Sequence, residues 1–348
     1  MKRVVELDII KALAIIMVVI AHTSCPAIIG QMFYLIHVPL FFMVSGYTCK
    51  DDSEFCSKSS LSIFFLKRIR TLYVPFLKYV LPVVLLHNVF YEIGVYDTPY
   101  TVKEYVFQIC RTLFMSIGNN EPLLKQLWFL KVLFLTEIYY AIIIYVAFKV
   151  GCSKYYILFF FYIFALIIPI ESLNHVCIMN FYLPIKAMIF YCMGAILRNK
   201  CPIISMKKRI LPIILFVLLW IPSGFFLRTS FQDSYQLVVV FQLILTAFAF
   251  YAVSVFPFAV LPVVLQKKLQ TMGGRTMIIF CWHYMAFLML SSIYILLTNG
   301  DLHLIAKSLR IPNISWWCFS MFGIFVPYYI YSFKRYVVIN SNFSESAK

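Results

Sequence analysis

An apolar segment near the amino terminus, LDIIKALAIIMVVIAH at residues 7–22, contains three ionisable side chains: Asp8, Lys11 and His22. Ionisable groups are costly in apolar surroundings, so they are candidates for function wherever they occur there. Histidine titrates close to neutral pH, and His22 is therefore suited to accept or donate a proton. The chemistry that this segment indicates is acid–base catalysis.

The spacing of these residues predicts a polar stripe on one helix face. Lys11 and His22 are eleven positions apart, which is about three turns and roughly 16 Å along a helix axis. Asp8 lies one turn before Lys11 and is placed to pair with it. We expect the stripe to face a cavity within the protein. The alternative is that Lys11 snorkels to one membrane surface and His22 lies at the other.

A second histidine, His37, begins the apolar stretch HVPLFFMVSGY. Its chemistry alone leaves open whether it is an interfacial residue or a second polar ligand. Pro39 can begin or break a helix here. Ser45 and Gly46 favour close helix packing over nucleophilic catalysis, because the glycine pattern of a nucleophile elbow is missing.

A basic cluster follows in FFLKRIRTLYVPF, where Lys67, Arg68 and Arg70 precede Pro75. One interpretation is anchoring at the cytoplasmic membrane surface by the positive-inside rule. The other is a clamp for an anionic donor such as the phosphates of coenzyme A, since guanidinium groups bind phosphate in a bidentate manner.

Three more candidates lie later in apolar runs. Glu137 is expected to pair with a cation, and Lys186 or Lys78 are possible partners. Trp128 lies at the entrance of the same run, where an aromatic belt is the favoured interpretation. For His283, taken alone, a buried and hydrogen-bonded histidine is favoured over a ligand.

The elements that position these residues must be membrane helices. The chain has 348 residues, of which 63% are hydrophobic and 13% charged, whereas soluble domains carry about 25% charged residues. Each spanning helix needs about 20 apolar residues. The sequence therefore predicts an all-α, polytopic bundle of about ten transmembrane helices in a lipid bilayer.

The apolar runs predict spans at residues 5–24, 31–48, 73–91, 127–148, 155–171, 178–197, 210–227, 236–258, 276–297 and 315–333. The interrupted stretch 101–118 is predicted to be an interfacial amphipathic helix. We expect one integral membrane domain over residues 1–340 and a short disordered tail at 341–348.

In this interpretation, the positive charges behind the net charge of +16 set the orientation of the protein in the membrane. Placing both termini in the cytoplasm puts most of the 30 Lys and Arg residues in cytoplasmic segments, as the positive-inside rule requires. Nucleic-acid binding is therefore not expected. The ten cysteines form no CxxC pair, so neither a disulfide framework nor a metal site is predicted.

Five segments, in order, resemble landmarks of the acyltransferase-3 family of membrane O-acyltransferases, in particular its fucose 4-O-acetylase-like branch. They are LDIIKALAIIMVVIAH, IHVPLFFMVSGY, FLKRIRTLYVPFL, LWFLKVLF and GGRTMIIFCWH. The first resembles the family's first-span signature of a basic residue and a later histidine. It departs from many members in having Lys11 where they have arginine, which keeps the charge but not the bidentate geometry.

The resemblance implies that acetyl-CoA is used from the cytoplasm, that the acceptor is a sugar on the far side or within the membrane, and that His22 is essential. His22 would be the base, with Asp8 and Lys11 orienting the first span and lining the donor entrance. An acetyl-His22 intermediate is a second route. The donor would be held by Lys67, Arg68 and Arg70, and the acceptor by His37, Trp128, Glu137 and His283.

The function expected is transfer of an acetyl group from acetyl-CoA to a hydroxyl of a cell-surface polysaccharide sugar or its lipid-linked precursor. The high content of Phe, Tyr, Ile and Lys is typical of an AT-rich bacterial genome, so the cytoplasmic membrane is the expected location. The alternative is a transporter or flippase for a polysaccharide or lipid-linked sugar, which needs no acyl donor.

Overall fold

The computed structural model describes residues 4–49, 55–115, 121–167, 179–200, 203, 207, 209–229, 235–300, 302, 305 and 309–346. Over these residues the chain is helical, without β-strands. The all-helical class predicted from composition is confirmed for them.

The helices are, in chain order, α1 (Val5–Ala21), α2 (Ala27–Tyr34), α3 (His37–Tyr47), α4 (Lys58–Arg68), α5 (Val74–Leu85), α6 (His87–Glu92), α7 (Val102–Leu113), α8 (Trp128–Val150), α9 (Lys154–Ile167), α10 (Met179–Lys200), α11 (Leu211–Thr229), α12 (Tyr235–Val255), α13 (Val263–Gly273), α14 (Thr276–Leu297) and α15 (Trp316–Ser346). A π-helical turn, Ile69–Tyr73, joins α4 to α5, and a 3-10 turn, Pro122–Leu127, leads into α8.

Four helical segments within the described residues are long and apolar enough to cross a membrane: Ala27–Tyr47, Pro122–Val150, Val238–Val255 and Thr276–Leu297. The apolar helix Leu211–Phe225 is shorter. The chain thus has membrane-protein character. The span ends predicted at 171 and 178, and residues 116–118 of the predicted interfacial helix, lie outside the described residues.

The first helix, α1, lies at the centre of the bundle. It packs against α2, α3, α12, α13, α14 and α15. Ile9, Ala12, Ala14, Ile15 and Val19 are all fully buried, although they point to different sides of the helix. Residues 12–21 of this helix are all apolar, and a stretch that is apolar all round is expected to be buried in this way. Asp8 on this helix is likewise buried, whereas Lys11 is partly exposed.

Helices α3 and α10 approach each other so closely that their backbones touch. A Cβ atom added at Gly46 would lie 1.8 Å from the Tyr191 carbonyl oxygen, and one added at Gly194 would lie 1.9 Å from that of Met43. Only glycine leaves room for such an approach. The prediction that Ser45 and Gly46 serve helix packing is confirmed at Gly46.

Within the stretch 101–118 predicted as an interfacial helix, residues Val102–Leu113 form α7, and the position of this helix at a membrane interface stays a prediction. It begins with a capping box, in which the Thr101 backbone N–H and hydroxyl each donate to Glu104 Oε2 over 2.8 Å. The Glu104 backbone N–H in turn donates to the Thr101 hydroxyl over 3.3 Å. These bonds satisfy orphan groups at the first turn and fix where the helix starts.

Candidate functional site

His22 sits at the carboxyl-terminal cap of α1, directly after Ala21. Its Nδ1 atom lies 2.7 Å from the carbonyl oxygen of Val18. Because a carbonyl can only accept, Nδ1 carries the hydrogen and Nε2 presents its lone pair. This is the tautomer that a general base needs.

His22 lines a cavity of about 290 Å³. Residues of α1, α2, α3, α8, α10, α12 and α14 form its wall, which is mostly apolar, as is usual for binding sites with a few placed polar groups. The side chains in this wall that carry a polar or ionisable group are His22, Tyr34, His37, Gln126, Trp128, Lys186 and Gln242. The cavity therefore brings a base, a cation and two carboxamides together.

Three histidines, at the end of α1, in α3 and in α14, lie near one another, and each is held by a carbonyl of its own chain segment. His22 and His37 line the cavity, whereas His283 does not. His37 Nδ1 lies 2.5 Å from the Phe33 carbonyl oxygen, and His283 Nδ1 lies 2.8 Å from that of Phe280. The rings of His22 and His283 are 5.4 Å apart between centroids. All three rings therefore offer Nε2 as an acceptor.

Two tyrosines link the histidines. The Tyr34 ring lies 6.2 Å from His22 and 5.2 Å from His37. The Tyr284 ring lies 5.6 Å from His22 and 4.9 Å from His283. The structure thus brings together the three histidines singled out in the sequence. His283 is fully buried and hydrogen-bonded, as predicted from the sequence. Its ring also lies next to that of His22.

Arg310 holds the end of α1 and is a residue that sequence reasoning missed. Its Nη1 donates to the backbone carbonyl of His22. A cation at a helix carboxyl terminus also interacts favourably with the helix dipole. Its only signal in the sequence was one more positive charge in a loop.

The other end of the predicted stripe lies outside this cavity. Lys11 Nζ pairs with Asp8 Oδ1 at 2.7 Å, as their spacing predicted. Asp8 is buried, and the Lys11 side chain is 29% exposed. Neither residue lines the cavity beside His22. The expectation that the whole stripe faces one cavity is corrected to its His22 end alone.

Glu137 pairs with Arg68, and the expectation of Lys186 or Lys78 as its partner was wrong. Arg68 Nε lies 2.9 Å from Glu137 Oε2, and the Glu137 side chain is only 3% exposed. The guanidinium carbon of Arg68 also lies 4.7 Å from the Phe64 ring centre. The pair ties α4 to α8, and Glu137 does not line the cavity.

The other two members of the basic cluster, Lys67 and Arg70, lie at the surface. Lys67 and Arg70 are exposed, at the end of α4 and in the π-helical turn that follows it. Both side chains are therefore accessible to an anionic ligand, whereas Arg68 is engaged with a buried carboxylate.

Trp128 is the first residue of α8 and lines the cavity. It is also 44% exposed, so it lies at the edge of the cavity wall. Gln126, two residues earlier, is 2% exposed and was missed from sequence, as were the roles of Lys186 and Gln242 in this wall. Within the described residues, no group of three or more His, Cys, Asp or Glu side chains is arranged to hold a metal ion.

Comparison with known proteins assigns the chain to a family. The family model described as an acyltransferase domain, of the acyltransferase-3 type, matches residues 4–332. No curated protein and no solved structure matches the chain significantly. The match covers nearly the whole chain, including every site residue described above. This chain therefore belongs to the acyltransferase-3 family of membrane acyltransferases.

Proposed function

We propose that the protein is an O-acetyltransferase of the cytoplasmic membrane, in the fucose 4-O-acetylase-like branch of its family. It would move an acetyl group from cytoplasmic acetyl-CoA to a hydroxyl of a cell-surface polysaccharide sugar or its lipid-linked precursor. The observation that carries this proposal is His22, whose Nδ1 is fixed on the Val18 carbonyl at 2.7 Å while the residue lines a cavity.

In the proposed step, the acceptor hydroxyl oxygen attacks the thioester carbonyl carbon while His22 Nε2 takes the hydroxyl proton. The tetrahedral intermediate collapses as its C–S bond breaks, and the leaving sulfur takes the proton from His22. The products are an acetyl ester and the free thiol of coenzyme A. Lys186 lines the same cavity, where an ammonium group stabilises the oxyanion of the intermediate.

The donor enters from the cytoplasmic side in this proposal. Lys67 and Arg70 are exposed and would bind the phosphates of coenzyme A, as cations bind phosphate elsewhere. Arg68 would act chiefly through its pair with Glu137. About ten spans with both termini in the cytoplasm agree with the charge distribution along the sequence.

The test is the acetyl content of the surface polysaccharide, measured by proton NMR, in a deletion strain complemented with wild-type protein or His22→Ala. The O-acetyl signal should vanish on deletion, return with the wild type and stay absent with His22→Ala. Membrane insertion of the variant is checked by immunoblot. Polysaccharide that accumulates inside the deletion strain with its acetylation unchanged would instead indicate export.

A further inference from the structure

We propose that Gln126 is a specificity residue, whose side-chain oxygen accepts a hydrogen bond from a second hydroxyl group of the acceptor. The site would then select a sugar with two neighbouring hydroxyls, of which one is acetylated and the other is bound. This inference rests on the proposed function.

Gln126 lies in the 3-10 turn Pro122–Leu127, is 2% exposed and lines the cavity. Its Nε2 donates to the Leu123 carbonyl over 3.1 Å and reaches that of Cys281 at 3.5 Å. Carbonyl oxygens only accept, so these two contacts fix which end of the carboxamide is the nitrogen. The other end is therefore the oxygen.

Oε1 of Gln126 is buried and has no hydrogen-bond partner within the part of the chain that the structure describes. Native proteins leave few buried polar atoms unpaired, because each costs the desolvation that it does not recover. A hydroxyl group from a molecule in the cavity would satisfy this oxygen as a donor.

Two histidines of the cavity offer acceptors of the same kind, whereas Lys186 in the same wall is a donor. His22 and His37 line it, and each ring has its Nδ1 hydrogen committed to a backbone carbonyl, at 2.7 Å and 2.5 Å. Both rings therefore present an accepting Nε2. Together with Gln126, they form a set of acceptors that complements the hydrogen-donating hydroxyls of a polyol. One hydroxyl would meet His22 for catalysis, and a neighbouring one would meet Gln126.

A buried cluster fixes the turn that carries Gln126. Glu121, directly before the turn, is fully buried and accepts from the Tyr100 hydroxyl over 2.8 Å. Its Oε1 also lies 3.0 Å from His87 Nδ1, while His87 Nε2 lies 3.0 Å from the Thr98 carbonyl oxygen. A recognition residue must be held rigidly to discriminate, and this cluster provides the support.

An unpaired buried carboxamide alone does not make a site, and the chain offers a matched control. Gln108 on α7 is 4% exposed, and its Oε1 also lacks a partner among the described residues. It does not line the cavity. Gln108 therefore shares the burial and the unpaired oxygen of Gln126 but not its access to a ligand.

The experiment compares Gln126→Met and Gln108→Met with the wild type. Methionine keeps an unbranched side chain of similar length and removes the accepting oxygen, together with the Nε2 group that donates to the Leu123 and Cys281 carbonyls. Membranes are supplied with labelled acetyl-CoA and with deacetylated surface polysaccharide from the deletion strain. Gln126→Met should raise the KM for polysaccharide about tenfold, which corresponds to one lost hydrogen bond. The KM of Gln126→Met for acetyl-CoA should stay within about twofold of the wild-type value. For Gln108→Met, the KM for polysaccharide and the KM for acetyl-CoA should both stay within about twofold of wild type.

The positions of the acetyl esters give a second readout, which a general loss of active protein would not move. By proton NMR, the product of Gln126→Met should carry acetyl groups on more than one hydroxyl, because the second contact that orients the sugar is lost. Wild-type positions with an unchanged KM for polysaccharide would overturn the proposal, and so would an equal rise in both KM values. If Gln126→Met does not insert, Gln126→Asn, whose oxygen is withdrawn by one methylene, is judged by the same criteria. A wild type that transfers no acetyl group at all would contradict the proposed function itself.

Discussion

The rings of His22 and His283 lie 5.4 Å apart, although 261 positions separate them in a sequence of 348 residues. His283 is fully buried, and its Nε2 has no hydrogen-bond partner among the described residues. The two residues belong to the end of α1 and the first turns of α14, which pack together. The contact places a second histidine ring next to the candidate base, His22.

His283→Ala should lower kcat for acetyl transfer about a hundredfold, because loss of the ring next to His22 displaces the base from its working position. The KM for acetyl-CoA should change little, since Lys67 and Arg70, which are proposed to bind this donor, lie elsewhere. Initial rates on membranes with equal amounts of inserted protein provide the measurement. A His283→Ala enzyme with wild-type kcat would show that the 5.4 Å contact has no part in catalysis.

Arg310 should affect the rate of acetyl transfer by holding the backbone at His22, and not by contacting the substrate. It donates to the His22 carbonyl, so Arg310→Met should lower acetyl transfer about tenfold, which is the order expected for losing one hydrogen bond to a charged group. Arg310→Lys keeps the charge but not the planar geometry and should recover only part of the activity. Wild-type activity in Arg310→Lys would show that the positive charge alone is sufficient. Wild-type activity in both variants would show that Arg310 does not position His22.

The Arg68–Glu137 pair should contribute to stability. Removing one partner of a buried pair strands the other, at a cost of about 3 kcal/mol, so Arg68→Met and Glu137→Gln should each lower the thermal midpoint in detergent. The double variant should lose less than the sum of the two, which is the signature of direct coupling.

Lys67→Gln and Arg70→Gln are the controls for that pair, because both side chains are exposed. They should leave the thermal midpoint unchanged and raise the KM for acetyl-CoA. The opposite pattern, in which Arg68→Met alone raises this KM without loss of stability, would restore Arg68 as the main donor ligand.

The glycine contact between α3 and α10 gives a packing test. Gly46→Ala would place a Cβ atom 1.8 Å from the Tyr191 carbonyl oxygen, so the helices must separate, at a cost of about 2 kcal/mol. The control is Gly30→Ala, where the added Cβ would meet Cys25 Sγ at an ordinary 3.6 Å. The thermal midpoint should fall for Gly46→Ala only, and equal midpoints would show that the approach is looser than the structure has it.

Local features of the site followed from the sequence. The Asp8–Lys11 pair depends only on positions one helical turn apart, and His22 stood out as an ionisable group in an apolar run. The span predicted at 276–297 matches α14. By contrast, the span predicted at 73–91 is divided between α5 and α6 at Leu86. The polar residues His87 and Asn88 directly follow the break, and the predicted span ran through them.

Non-local features could not be obtained in this way. The partner of Glu137 depends on which helices pack together, and Arg68 lies 69 positions away in the sequence. Gln126 and Arg310 are single polar residues without a periodic pattern, so only the fold shows that one lines the cavity and the other holds the end of α1. The number of spans, the location of the termini and the division at residue 340 stay predictions.

His22 is the proposed base for acyl transfer. The most direct measurement is transfer of labelled acetyl from acetyl-CoA to deacetylated surface polysaccharide by membranes containing wild-type protein or His22→Ala in equal amounts. We predict transfer by the wild type and a loss of at least about a thousandfold in the variant, within the range for an essential general base. A His22→Ala protein that transfers acetyl groups at the wild-type rate would contradict the claim.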